Sequence, residues 1–446
     1  MQQNDHHPHR VVGPVGAIGI IVAAMVGSGI FTLTGQFGAK VGSEENVLAA
    51  WVIGGVLALA GGLSLAELGA MIPCSGGSVE FARRAFGKTT GYLVAMVTIL
   101  SGYFLSIAAV GLMLAEYVNK VTPEPLDLTL VALASIALAF LSQLPGLRAG
   151  YAFSTALSVL KIAFVAAFVV AGLAWPFDAR IEAPASAVLT ATPGLFSAAV
   201  ASATLSVSFA YLGWSTGADI AGDIRRPGRN VPIGILGAIA IVFVLYIGVN
   251  LVYLRVIDPL AMSEPGGGEM QAIGAVTATA LFGATAGKIL AGVIALLFFS
   301  TIVSGTITAA RILESMAHAR EIPAWTGVRS PRGVPTRGLV ATALASAACL
   351  ALGNLGDIFG LLTVLINVFS SLSVAAVIVL RRTMPDAPRP FRVPLYPFTP
   401  ILYLALAGWS ITASVIEGGW KSVITSVAIV AILLAIRPVL TLGQAR

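Results

Sequence analysis

The chain alternates long apolar stretches with short polar segments. A helix needs about 20 apolar residues to cross a hydrocarbon core of ~30 Å. By this criterion the sequence predicts twelve membrane-spanning helices, at residues 13–38, 46–71, 90–119, 127–144, 151–175, 194–220, 231–254, 286–317, 337–353, 356–381, 398–416 and 419–437. The amino terminus is polar and runs directly into the first stretch, so no cleavable signal peptide is predicted.

The first stretch is interrupted by Gly27, Ser28 and Gly29. Each glycine costs a helix roughly 1 kcal/mol relative to alanine, so the helix is predicted to stop here. A break inside a bilayer frees backbone N–H and C=O groups, which must face protein, water or a ligand. Free N–H groups at the start of the second half-helix suit a carboxylate. The alternative, a small-residue motif for helix packing, fits the same letters equally well.

A second candidate break lies in the sixth stretch, where Phe209, Tyr211 and Trp214 surround Gly213. If spans one to five and six to ten are inverted repeats, the first and sixth spans occupy corresponding positions. Paired glycine interruptions at such positions indicate a transport site at the membrane midplane. An aromatic cluster beside a glycine is also typical of ordinary packing, and this alternative stays open.

Composition sets the class of protein. Of 446 residues, 57% are hydrophobic and 10% are charged, against about 25% charged in soluble proteins. The chain is therefore predicted to be an integral membrane protein. The sequence shows no paired carboxylates, metal cluster, nucleophile–base set or phosphate-binding loop, so neither an enzyme nor a cofactor is predicted. Cys74 and Cys349 imply no disulfide framework.

The distribution of positive charge predicts the topology. With both termini inside, 19 of the 26 lysines and arginines fall in cytoplasmic segments and six outside, as the positive-inside rule requires. The formal charge of +6 is thereby explained by topology and by attraction to anionic lipid. No nucleic-acid partner is needed to account for it.

Lys161 is the remaining basic residue, about ten residues into the fifth span. At 1.5 Å per residue it lies ~15 Å deep, which is too central for its charge to reach the interface easily. An ionisable group at this depth indicates function. Removal from water favours the neutral amine, so Lys161 is a candidate for proton uptake and release. The alternative is a permanently charged lysine that braces one helix against the backbone carbonyls of another.

Five motifs occur in order along the chain. They are GSGIF at 27–31, LSLAELGAMIPCSGGSVEFARRAFG at 63–87, GWSTGADIAGDIRRPGRNVP at 213–232, RILESMAHAREIP at 311–323 and LRRTMPDAPRPFRVPLYP at 380–397. Over nearly its full length the chain resembles the amino acid–polyamine–organocation superfamily of permeases.

This resemblance implies an all-α membrane protein with twelve transmembrane helices in a 5+5 inverted-repeat, LeuT-like fold, in which helices one and six are discontinuous. A single transporter domain is expected at 13–437, with repeats at about 13–175 and 194–381 and two further helices at about 398–437. Residues 1–12 and 438–446 are expected to be cytoplasmic tails.

The resemblance also implies the site. Backbone amides of Ser28, Gly29 and Ile30, next to Gly27, would hold the substrate carboxylate. Carbonyls of Ala23 or Ala24, Phe209 and Ala210 would meet its amine, beside Tyr211, Gly213 and Trp214. Lys161 matches the family's lysine at the position that sodium occupies in sodium-driven relatives, which argues against sodium coupling.

Departures from the family patterns bear on the substrate. In span eight, the segment KILAGVIALLFFSTIVSGTITAARI (288–312) carries no tryptophan and no acid where similar antiporters of cationic substrates carry an aromatic lid. Thr301, Ser304 and Thr306 suggest a pocket lined by hydroxyl and methyl groups. A cationic side chain would need a carboxylate or aromatic faces, so a neutral amino acid is predicted. Animal light chains of the family carry an external cysteine after helix three. Residues 119–128 contain none, so no disulfide-linked heavy chain is expected.

The predicted function is sodium-independent secondary transport of neutral amino acids by alternating access, as a proton symporter or an exchanger. The predicted location is the bacterial inner membrane, with the lipid bilayer, the amino acid and protons as the interacting species. Alternatives are a cationic amino acid or polyamine antiporter, and a transporter-like channel or sensor. A sensor would be expected to carry an added soluble domain, and the sequence indicates none. A channel would need a continuous polar lining, and the spans carry few charged residues.

Overall fold

The computed structural model describes residues 10, 12–74, 76–144, 147–177, 179–183, 193–264, 268–330, 334–353, 355–418 and 420–442. Of the predicted tails at 1–12 and 438–446, residues 1–9, 11 and 443–446 lie outside the described range. Within it the fold is almost entirely helical. The α-helices are α1 Pro14–Met25, α2 Leu33–Val41, α3 Glu44–Met71, α4 Gly77–Phe86, α5 Lys88–Ile99, α6 Ser106–Asn119, α7 Leu128–Gln143, α8 Leu147–Ala174, α9 Ala198–Ala210, α10 Thr216–Asp219, α11 Pro227–Val256, α12 Ile273–Phe282, α13 Ala284–His318, α14 Thr336–Cys349, α15 Leu355–Thr383, α16 Phe398–Gly418 and α17 Lys421–Leu442.

Three small features differ from the predicted all-α outline. Strands β1 (Ser263–Glu264) and β2 (Gly268–Glu269) form a two-residue antiparallel pair. The last helix continues to Leu442, beyond the predicted end of the domain. Val12, predicted to lie in the tail, forms a parallel bridge with Ile224.

Helices occupy every range predicted to span the membrane. Within the part of the chain that the structure describes, six helices are long and apolar enough to cross a bilayer by length and composition: Glu44–Met71, Lys88–Asn119, Pro227–Val256, Ala284–His318, Gly360–Thr383 and Phe398–Ile416. Seven shorter apolar helices of 10–17 residues accompany them. The first and sixth predicted spans are each divided into shorter helices, so neither is identified as a membrane span by helix length alone.

Helix interruptions lie at both of the predicted positions. Helix α1 ends at Met25, a short 3₁₀ turn follows at Gly29–Phe31, and α2 begins at Leu33. Helix α9 ends at Ala210, and α10 begins at Thr216. Between them Gly213 adopts φ +118°, a conformation that side chains with a Cβ rarely tolerate.

A third irregularity was not predicted. Residues Leu100–Leu105 form a π-helical turn between α5 and α6. The Ser106 hydroxyl donates to the Ser101 carbonyl at 2.9 Å and so satisfies an oxygen within this turn. Such turns occur often at functional sites.

The helices pack in a pattern that crosses between the two halves of the chain. Helix α1 packs on α11, α9 packs on α3, and α6 packs on α13. Small residues permit close approach: a Cβ on Gly234 of α11 would lie 2.9 Å from the Cβ of Ala17 on α1. In lipid, where water does not drive helices together, such contacts supply much of the packing energy.

One buried ion network joins α3 to α15 and to the segment that follows it. The fully buried Glu67 carboxylate accepts from Arg381 Nε at 2.8 Å and from the Val393 amide at 2.7 Å, and Arg389 Nε lies 3.4 Å away. The Arg381 guanidinium also stacks 3.7 Å from the Tyr396 ring centroid. A buried carboxylate needs such partners, so the network fixes these segments to one another.

Candidate functional site

The two helix interruptions contact each other directly. A Cβ on Gly29 would lie 2.8 Å from the Cβ of Ala210, the last residue of α9. A Cβ on Gly213 would lie 2.8 Å from the carbonyl carbon of Ala24, near the end of α1. At each interruption a glycine therefore allows close contact with the end of the helix from the other interruption. Any side chain at that position would prevent the contact.

Tyrosine hydroxyls lie against the carbonyls freed by these breaks. Tyr246 Oη lies 2.9 Å from the Met25 carbonyl oxygen and 3.0 Å from that of Ala210. A phenol has one proton and can donate to only one of the two at a time. Tyr253 donates to the Ile30 carbonyl at 3.2 Å, and Tyr117 donates to that of Phe31. A carbonyl oxygen has two lone pairs, so Ala210 can still accept from an amine.

Unpaired polar groups remain in the first break. Ser28 is 2% exposed and its Oγ has no hydrogen-bond partner among the described residues. The Ser28 amide makes no backbone hydrogen bond to a described residue. Thr32, fully buried one turn later, likewise has an unpaired Oγ1 within the described part of the chain. A buried unpaired polar group costs about 1–3 kcal/mol, so these groups indicate a place for a polar ligand or water.

Access to the break differs along α1 and α9. Ala24 is exposed, Ala23 and Phe209 are half-buried, and Ile30 and Ala210 are buried. Gly27 is half-buried, and the nearest atom to a Cβ there would be the Met25 carbonyl oxygen at 3.8 Å. Gly27 thus borders open space, whereas the space beside Gly29 is occupied by the end of α9.

Tyr211 and Trp214 are oriented into the helix packing. Tyr211 is fully buried, and its ring centroid lies 5.1 Å from that of Tyr246. Trp214 is 3% exposed and packs edge-on against Tyr403 of α16 at 6.1 Å. These contacts favour the packing alternative, because each ring already has aromatic neighbours and little accessible surface.

Lys161 and Thr301, separated in sequence, are brought together. The Lys161 side chain is buried, and its Nζ donates to Thr301 Oγ1 at 3.0 Å across α8 and α13. Phe164, one turn beyond Lys161, lies 6.1 Å from the Phe31 ring, which places this part of α8 beside the first break. Ser304 is half-buried one turn from Thr301. Thr306 is fully buried and donates to the backbone.

The sequence reasoning missed Asn367, a buried amide in α15. Its Nδ2 donates to Ser208 Oγ at 2.8 Å, next to Phe209 and the end of α9. A polar residue inside an apolar span is the sequence signal that could have indicated a buried polar contact of this kind. The partner could not be identified without the fold, because Ser208 belongs to a distant helix.

Neither cysteine is positioned for chemistry at this site. Cys74 and Cys349 are free thiols. Burial, aided by the nearby Glu80 carboxylate, raises the pKa of Cys74 to about 11, so the thiol stays protonated. The described residues contain no group of three histidines, cysteines or acids that could hold a metal ion.

Comparison with known proteins identifies the family. The model of the family described as amino acid permease matches residues 12–434. This chain belongs to that family. The expected resemblance to the amino acid–polyamine–organocation superfamily is thereby confirmed, and the chain is a member of a family of multi-pass membrane transporters.

Several amino acid transporters are similar to the chain along most of its length. The serine/threonine exchanger SteT of Bacillus subtilis (strain 168) is 27% identical over 91% of this chain and 91% of its own. The b(0,+)-type amino acid transporter 1 of Mus musculus is 27% identical over 92% of this chain and 84% of its own. The large neutral amino acids transporter small subunit 2 of Homo sapiens is 26% identical, over 97% and 80% respectively.

Proposed function

We propose that this protein is a sodium-independent secondary transporter of neutral amino acids, working by alternating access as an exchanger or a proton symporter. The observation that carries the proposal is the meeting of two helix breaks beside unpaired polar groups. Ser28 supplies an amide and a hydroxyl without backbone or side-chain partners among the described residues. These donors fit a carboxylate, and the opposing Ala210 carbonyl fits an amine.

The proposed architecture is twelve spans with two inverted five-helix repeats. In such a repeat, helix one corresponds to six, two to seven and three to eight. The packing of α1 on α11 then matches that of α9 on α3, and the packing of α6 on α13 maps onto itself. The reciprocal glycine contacts of Gly29 and Gly213 follow the same exchange. These pairings support the repeat and, with it, a central site.

A neutral substrate is supported by the buried charges. Glu67 and Glu314 are buried and are both held in ion pairs with arginines. Asp219, half-buried at the end of α10, accepts from the Ser78 amide at 2.9 Å. The two buried glutamates are therefore occupied by arginines and are not free to bind a cationic side chain. Thr301 and Ser304 offer hydroxyl groups instead. SteT, named a serine/threonine exchanger, is consistent with a small neutral substrate.

Lys161 is proposed to supply a positive charge beside the first break in place of a sodium ion. Its Thr301 contact satisfies one of the three donors of an ammonium group. If Lys161 releases its proton within the cycle, transport is coupled to protons. If Lys161 stays charged throughout the cycle, the protein works as an exchanger without proton coupling.

The direct test is uptake of a panel of radiolabelled amino acids into proteoliposomes. Internal amino acid, a pH gradient and a sodium gradient are varied independently. Uptake of neutral amino acids without sodium is expected. Uptake only with internal amino acid would identify an exchanger, and uptake driven by acidic outside pH would identify a symporter. A strict sodium requirement, or preference for cationic amino acids, would overturn the proposal.

We also propose a bacterial inner-membrane location with both termini in the cytoplasm and no disulfide-linked partner chain. The test is labelling of single cysteines, introduced at Lys120 and Arg320, by an impermeant maleimide in intact cells. The background for these variants lacks Cys74 and Cys349. Labelling at Lys120 and protection at Arg320 are expected, and the reverse pattern would invert the topology.

A further inference from the structure

A groove of about 620 Å³ runs beside the first turns of α11. Ile18 of α1, Arg229, Ile233, Leu236 and Gly237 of α11, and Phe391 line it. Its volume falls in the range of about 300–1,000 Å³ typical of small-ligand sites. It lies apart from the helix breaks described above and takes no part in the proposed transport site.

Two glycines keep the groove open. A Cβ on Gly228 would lie 2.5 Å from Pro390 Cβ, and one on Gly237 would lie 2.9 Å from Ile18 Cδ1. Both positions therefore carry only backbone at the contacts between α11 and its neighbours. The groove between these contacts is built into the packing.

The groove has one charge. Arg229 is exposed, and its side chain makes no hydrogen bond or ion pair with a described residue. No acidic residue stands among the described residues that line the groove, and its other lining side chains are apolar. Apolar walls with a single cation at one end are complementary to an amphiphile with an anionic head.

We propose that this groove binds an anionic phospholipid, with an acyl chain along α11 and the phosphate at Arg229. The inference rests on the proposed topology, which places the start of α11 in the cytoplasmic leaflet. Anionic lipids are concentrated there and attract basic side chains. The chain belongs to a membrane-transporter family, so a bilayer lipid is the amphiphile that a lateral groove meets.

The groove also links lipid to α1. Ile18 forms one wall and lies on the half-helix that ends at the first break. A movement of α1 relative to α11 would change the shape of the groove. If substrate binding moves α1, it changes the affinity for the lipid by some factor. Bound lipid must then change the affinity for the substrate by the same factor, because binding linkage is reciprocal.

The first test measures phospholipid bound to the purified full-length protein by native mass spectrometry. Dioleoyl phosphatidylglycerol and dioleoyl phosphatidylcholine are titrated separately. Loss of one basic contact is expected to weaken phosphatidylglycerol binding about fivefold in Arg229→Gln, with phosphatidylcholine little changed. Arg320→Gln, which removes an exposed arginine that does not line the groove, is the charge control and should bind as the unmodified protein does.

The second test fills the groove. Ile233→Trp should reduce binding of phosphatidylglycerol, whereas Val244→Trp should not. Val244 is 68% exposed on the same helix but does not line the groove. Glycerol 3-phosphate separates the headgroup from the chain: competition by it at concentrations similar to the lipid's would remove the acyl-chain part of the proposal.

Two results would overturn the lipid site: equal losses for Arg229→Gln and Arg320→Gln, or unchanged binding in Ile233→Trp. Both readouts measure lipid and not transport. Failure of the proposed transport function would leave them interpretable, and loss of the lipid site would leave amino acid uptake to be tested separately.

Discussion

Gly27 and Gly29 offer a matched test of the first helix break, because the same substitution should impair folding at Gly29 and substrate binding at Gly27. At Gly29 an added Cβ would lie 2.8 Å from Ala210 Cβ and 3.1 Å from its Cα. Optimal carbon contacts are about 3.5–4.0 Å apart. Neither atom belongs to a flexible side chain, so α9 would have to shift by several tenths of an ångström or more.

Gly29→Leu is therefore expected to destabilise the fold, and overpacking of this kind costs about 1–3 kcal/mol or more. At Gly27 an added Cβ would have its nearest neighbour at 3.8 Å, and the residue is not in the positive-φ region. Gly27→Leu should keep the melting temperature of the unmodified protein. Its side chain would instead occupy the open space beside the unpaired Ser28 groups.

Loss of one charge-assisted hydrogen bond, worth about 1.5–3 kcal/mol, would weaken amino acid binding about tenfold to 150-fold. The assay combines thermal unfolding in detergent with displacement of a labelled amino acid from the same preparations. Gly27→Leu should melt normally and bind weakly. Unchanged affinity in a folded Gly27→Leu protein would refute the assignment of this break to the carboxylate, and an unchanged melting temperature in Gly29→Leu would refute the packing argument.

Three further outcomes are expected. Lys161→Ala should remove the pH dependence of uptake while exchange survives if the lysine releases its proton; a bracing lysine would leave the pH profile unchanged and lower the rate at every pH. Thr301→Val, which keeps the volume but removes the Lys161 partner, should shift that pH profile, and a transport rate and profile identical to those of the unmodified protein would exclude a role for the contact. Glu67→Gln should lower stability by about 3–5 kcal/mol in thermal unfolding, because it leaves two largely buried arginine side chains, 20% and 9% exposed, without their counter-charge; a normal melting temperature would contradict the network.

Much of the outline was predictable from the sequence because its causes are local. A run of apolar residues predicts a helix in lipid wherever it occurs, and glycines at residues 27 and 29 weaken a helix regardless of its neighbours. Structural interruptions occur at those glycines and around Gly213. The depth of Lys161 follows from counting residues along its span.

The tertiary structure decided what these features contact. Gly29 meets Ala210, and Lys161 meets Thr301, because distant helices are packed side by side. The same packing turns Trp214 towards Tyr403. The residues next to each of these positions in the sequence contain no information about these partners. Local pattern determined where the helices form and where they break, and long-range packing decided which groups were paired and which, like the Ser28 hydroxyl, were left unpaired within the described chain.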